Sequence, residues 1–179
     1  MRVCGVDIAA RADRTACAFM DGWRLTRIQT IDPPIEYPEI LDIVRDCCKR
    51  ADRVIQDQSG VGDPVYSVLR DECPNLIGVR FTGGDTIKMH GRNWTTGKAG
   101  LVQLLHAAVS SGKLVLDCPE DQKRALRDEM TSFRMIPGRK PGTWKYEAAA
   151  GAHDDILMAA ALAVLGTMQA SKAGAAQGH

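Results

Sequence analysis

The segment ILMAAALAVL at positions 156–165 is apolar at all ten of its positions. A helix without a polar stripe has no side to turn to water, so it must lie buried among other elements. The rest of the chain therefore has to supply a sheet broad enough to carry it and further helices to close over its back. The 179 residues suffice, since a domain near that size buries roughly 70% of the surface its unfolded chain exposes. With 45% hydrophobic and 25% charged residues, the chain is neither disordered nor collagen-like. The apolar segment falls short of the about 20 residues needed to span a bilayer. The N-terminus, MRVCGVDIAARADR, reaches an acid before any signal-peptide core forms. A cytoplasmic protein with no membrane partner is expected.

The strands of that sheet are readable. Residues 2–8 are a mostly apolar run holding Asp7 near its end, and residues 15–20 (TACAFM) form a second strand. Asp21-Gly22 is a hairpin signal, and residues 23–31 alternate as a third strand. After Pro33-Pro34, Ile40, Ile43, Val44 and Cys47 fall at helical spacing within 37–50. RVIQD at 53–57 is a fourth strand. A Gly60-Val61-Gly62 turn leads to a helix opened by Asp63-Pro64 and running to about residue 72, and residues 76–81 are a fifth strand.

The second half predicts a helix at 98–111, a short strand at 113–116, an amphipathic helix at 119–131, a hairpin at 133–148 and a long helix at 152–168. This order predicts an α/β fold: a mixed sheet of five central strands with an antiparallel hairpin, flanked by helices, plus a late β-hairpin. One domain is expected over 1–169, with ASKAGAAQGH at 170–179 as a flexible tail. The six cysteines form no C-x-x-C pair and are expected to be reduced thiols.

Three acidic stations carry the chemistry. Asp7 and Asp57 each close an apolar strand, and ligands of parallel α/β sheets bind at such C-terminal strand edges. If the two strands are neighbours, the carboxylates converge, and they repel each other unless a cation sits between them. Asp154 and Asp155 open the apolar helix; a capping pair is the plain reading, but burial of that helix brings its first turn to the same edge. Hard oxygen donors of this kind suit Mg²⁺ or Mn²⁺, and two such ions form the clamp used for in-line phosphoryl displacement.

In this order, GVDIAARADRTA, VIQDQSGVGDPVYSVL, TGKAGLVQLLHAAVSSGKLVL and GAHDDILMAAALA resemble the RNase H-like nuclease superfamily. The closer resemblance is to the nuclease domain of phage terminase large subunits, over residue 2 to about residue 166. It implies a phage or prophage DNA endonuclease with Asp7 bridging two metal ions, Asp57 on one ion and Asp155 on the other. Asp154 and Asp13 would be auxiliary acids. By its place beside the acids, His153 reads either as a group that orients a water or the scissile phosphate or as a helix-start residue with only a capping role. Lys98, and the hairpin bearing Arg139, Lys140 and Lys145, would contact DNA. No G-x-x-x-x-G-K-[ST] phosphate loop is present. The resemblance therefore implies a nuclease without its ATPase motor, either free-standing or an excised domain, with a separate packaging ATPase or other phage protein as partner. Two other readings share the fold: a Holliday-junction resolvase of the RuvC type, and a catalytically silent nucleic-acid-binding or assembly subunit.

Charge narrows the DNA contact. Lys+Arg of 23 against Asp+Glu of 22 gives +1, which excludes a uniformly basic binder but not a local patch. KMHGRNWTTGK at 88–98 reads either as a DNA-contacting loop or as a solvated connector. Arg134, Arg139, Lys140 and Lys145 have no acid between them, which favours a phosphate-tracking hairpin over a solvated turn.

Overall fold

A computed structural model describes the chain apart from residues 10, 12, 84–85, 138–143, 149–152 and 177–179, and apart from the side chains of 134–137, 144–148 and 173–176. Eight strands form one mixed sheet: β1 (Arg2–Asp7), β2 (Thr15–Asp21), β3 (Arg24–Ile31), β4 (Arg53–Asp57), β5 (Leu76–Phe81), β6 (Lys88–His90), β7 (Asn93–Thr96) and β8 (Val115–Leu116). Their order is β6-β7-β5-β4-β1-β2-β3-β8. β9 (Phe133–Pro137) and β10 (Trp144–Ala148) pair as a separate antiparallel hairpin. The helices are α1 (Tyr37–Arg50), α2 (Gly62–Leu69), α3 (Lys98–Ser110), α4 (Glu120–Ser132) and α5 (Asp155–Ala176).

The sheet separates two cores. On one face Cys4, Val6 and Val54 pack with Ile40, Val44 and Cys47 of α1 and Val65, Tyr66 and Leu69 of α2. On the other, Val3, Ile55 and Val79 meet the buried stripe of α5, backed by Leu101 and Leu105 of α3 and Leu126 of α4. The apolar segment lies where its composition demands: every residue from Ile156 to Leu165 is buried. Its alanines let the helix sit close to the sheet. A Cβ on Gly5 would stand 2.0 Å from the Ala159 carbonyl oxygen and 2.5 Å from the Ala163 nitrogen, so only glycine fits there.

The expected strands and helices appear with small shifts at their ends, and two expectations change. Residues 88–98 are neither a loop nor a connector. They hold β6 and β7, an antiparallel pair that extends the sheet beyond β5. Trp94, within this basic segment, is only 5% exposed and donates its Nε1–H to Gly91 O. In addition, α5 continues through Ala176, past the expected start of the tail at 170. All six cysteines are free, five of them buried as small apolar groups.

Candidate metal centre

β1 and β4 are parallel neighbours with Val6 opposite Gln56, so the next residues, Asp7 and Asp57, end side by side at the C-terminal edge. Alternation turns both carboxylates toward the face covered by α5, the face that Gly5 and Ile55 also meet. The turn after β4 fixes Asp57. Its Oδ1 accepts the Ser59 N–H at 2.7 Å, and Gln56 Nε2 donates to Gly62 O at 2.8 Å. Gly62 packs so tightly that a Cβ would lie 1.9 Å from the Asp57 carbonyl oxygen. The G-x-G turn is thus a support for the strand end rather than a phosphate cradle.

The first turn of α5 brings the other acids. Asp154 pairs with Lys98 Nζ at 2.8 Å, which joins the starts of α3 and α5. Asp155 is 5% exposed, with its Oδ2 at 3.7 Å from Arg14 Nε and 3.6 Å from His153 Nδ1. Arg14 also donates through Nη2 to Glu129 Oε1 at 3.2 Å. Glu129, on α4, accepts the Leu157 N–H through Oε2 at 2.9 Å and so caps α5. Thr15 Oγ1 donates to Ala9 O at 2.8 Å and accepts from Ala9 N–H at 3.2 Å, anchoring the β1–β2 loop that carries Asp13 and Arg14. Asp13 stands 3.9 Å from His153 Nδ1.

Four carboxyls here are held above the usual range, burial being the main cause in each. For Asp7 the charges of Asp57 and Asp155 add to burial, against Lys98. Asp57 is raised by burial despite its Ser59 bonds. Asp155 is raised by burial and then Asp13, opposed by Arg14 and His153. Glu129 is raised by burial, opposed by its bond from Leu157. Burial also disfavours the Lys98 ammonium, but Asp154, Asp7 and Asp57 outweigh it and leave Lys98 above the ordinary lysine value.

The acids therefore share one electrostatic neighbourhood. Among the described residues, however, no three acid, histidine or cysteine side chains gather closely enough to enclose a cation. Two cationic side chains divide the group, Lys98 drawing Asp154 and Arg14 facing Asp155. The donor set still suits a hard divalent ion, because Asp155 Oδ2 is buried and accepts no hydrogen bond. Lys98, expected on DNA, stands inside the acidic group. Arg139 and Lys140 lie outside the described residues, as does the side chain of Lys145, whose backbone is in β10. Sequence reading missed Arg14 and Glu129. Glu129 had a signal: it lies three residues after the core residue Leu126, on the helix stripe that is buried.

These shifts have a consequence for stability. The raised acids bind protons more tightly folded than unfolded. Above the ordinary carboxylate pKa of about 4, and up to the raised values, the native state holds the extra protons, so their contribution to stability falls as pH rises through that window. In chelator-containing buffer, thermal unfolding between pH 5 and 8 should show the parent losing stability relative to an Asp7→Asn variant as pH rises. Parallel curves would show that Asp7 carries no such penalty.

No family model matches the sequence, and no curated protein does. Solved structures do. The large terminase nuclease from thermophilic phage G20c with bound magnesium aligns at a TM-score of 0.71 and 20% identity, over 92% of this chain and 80% of that one. The fold here is that of the large terminase nucleases. The G20c nuclease was also solved with bound cobalt, at a TM-score of 0.69 and 20% identity over the same shares of both chains. The nuclease domain of the large terminase subunit of bacterial virus Sf6 aligns at 0.63 and 16% identity, over 92% of this chain and 87% of that one. The likeness covers nearly the whole chain and includes the RNase H-like sheet.

Proposed function

We propose that the chain is a divalent-metal-dependent DNA endonuclease of the terminase-nuclease type. The observation that carries this reading is the adjacency of Asp7 and Asp57 at one sheet edge, with the buried Asp155 Oδ2 free of hydrogen bonds nearby. Asp7, Asp57 and Asp155 would hold the ions, with Asp154 and Asp13 as auxiliary acids. Bound there, two Mg²⁺ or Mn²⁺ ions would supply an activated water and stabilise the leaving 3′-oxygen.

The chain's own groups prepare that edge. Lys98 holds Asp154 with one of its three N–H donors and has others to offer a phosphate oxygen. Buried carboxylates keep water from competing for the donor positions. His153, half-exposed beside Asp155, can orient a water or a phosphate oxygen. The hairpin residues Arg139, Lys140 and Lys145 would track the DNA backbone, since contacts to phosphate dominate sequence-independent affinity. In a packaging role, a separate ATPase would move the DNA.

The test is cleavage of linear, supercoiled and branched DNA in Mg²⁺, Mn²⁺, Ca²⁺ or chelator. Cleavage in Mg²⁺ and Mn²⁺ is expected, with little in Ca²⁺, whose looser coordination positions the reacting groups badly. Equal rates in Ca²⁺ and Mg²⁺ would contradict the two-ion reading. Symmetric cutting confined to branched DNA would indicate a junction resolvase instead.

A further inference from the structure

Arg14 stands between two acids and treats them differently. Its Nη2 donates a hydrogen bond to Glu129 Oε1 at 3.2 Å, whereas its Nε lies 3.7 Å from Asp155 Oδ2. Among the described residues, both that Nε and that Oδ2 are buried without a hydrogen-bond partner. The guanidinium is therefore committed to Glu129 and only faces Asp155. Glu129 is itself fixed, because Oε2 receives the Leu157 N–H at 2.9 Å. An Arg with a free choice would form the two-pronged pair that its fork favours with a carboxylate. Asp155 offers one a short distance away.

We propose that Glu129 is a positioning residue that keeps Arg14 off Asp155, so that the Asp155 oxygen stays open to a divalent cation. The inference rests on the metal-centre reading above. It makes Glu129 a counter-charge whose effect passes through Arg14, beyond its role as a cap for α5. Removing the charge of Glu129 while keeping its shape and one acceptor oxygen frees Arg14 to clamp Asp155. The cation then competes with a neighbouring guanidinium for the same oxygen.

The experiment is calorimetric titration with Mn²⁺ alone, on the full chain, alongside thermal unfolding and cleavage rates. Glu129→Gln should weaken Mn²⁺ binding about tenfold or more, the scale on which groups behind metal ligands act. Adding Arg14→Gln to that variant should restore the affinity to within about threefold of the parent, a rescue that a purely structural cap cannot give. Arg14→Gln alone leaves the cap intact and should bind Mn²⁺ as well as the parent or better. Even if Glu129→Gln does not fold, a gain in affinity in Arg14→Gln supports the inference and a tenfold loss there overturns it. Unchanged Mn²⁺ affinity in Glu129→Gln, no rescue in the double variant, or a tenfold loss in Arg14→Gln would each overturn the inference while leaving the nuclease reading in place. A parent that neither binds Mn²⁺ nor cuts DNA would overturn both.

Discussion

Asp7→Asn is expected to reduce DNA cleavage by at least about 10³-fold, equivalent to roughly 4 kcal/mol of transition-state stabilisation, while the protein stays folded. Asp7 feels Asp57, Asp155 and Asp154 together, so it is the carboxylate most central to the proposed site. Asparagine keeps the shape and one oxygen but removes the charge that would draw a cation. The same change relieves a buried carboxylate of its like-charged neighbours. The variant should therefore melt no lower than the parent in chelator at pH 7, because burial and the neighbouring acids disfavour the charged Asp7 carboxylate. Cleavage kinetics in Mg²⁺ and thermal unfolding in chelator measure the two halves separately. Cleavage at the parent rate would remove Asp7 from the chemistry. Lost cleavage with a collapsed melting temperature would point to a structural role.

Gly5→Ala should damage the fold severely, costing about 3 kcal/mol or more, at the upper end of overpacking effects. The new Cβ would meet backbone atoms, at 2.0 Å from Ala159 O and 2.5 Å from Ala163 N, and backbone cannot rotate aside as a side chain can. Relief requires the backbone of β1 and that of α5 to move apart, and these two elements carry Asp7 and Asp155. Gly83→Ala is the control, because nothing lies within 4 Å of its added Cβ. That change should stay within about 0.5 kcal/mol. Chemical denaturation of the three proteins tests this, and a Gly5→Ala variant as stable as the Gly83→Ala control would contradict the close helix–sheet packing.

Legibility of this chain in its sequence followed the burial of each part. The strands ending in Asp7 and Asp57 were readable because four or five neighbouring residues reported a shared environment. β6 was not readable: Lys88, Met89 and His90 are all exposed, so this edge strand leaves no alternation. The adjacency of β1 and β4 is only a condition at the level of sequence, since nothing in either strand encodes its neighbour, and the pairing of the two strands supplies it. Pairs such as Lys98 with Asp154, 56 residues apart, leave no local trace at all. Glu129 is legible as an acid on the buried stripe of α4, but its partner Arg14 lies 115 residues away and leaves no local trace. The acids share one electrostatic neighbourhood, with Lys98 paired to Asp154 and Arg14 facing Asp155, and neither cation could be read from the spacing of the acids.

The bond from Leu157 N–H to Glu129 joins α4 to α5 across the segment that contains β9 and β10. Within it β9 and β10 pair with each other, so the bond closes a loop whose two ends are fixed and whose length can change between the paired strands. Lengthening a loop of this kind is cheap, about 0.6 kcal/mol for each doubling. A change of length between β9 and β10 should therefore cost the fold less than the loss of Glu129, where the closure is made.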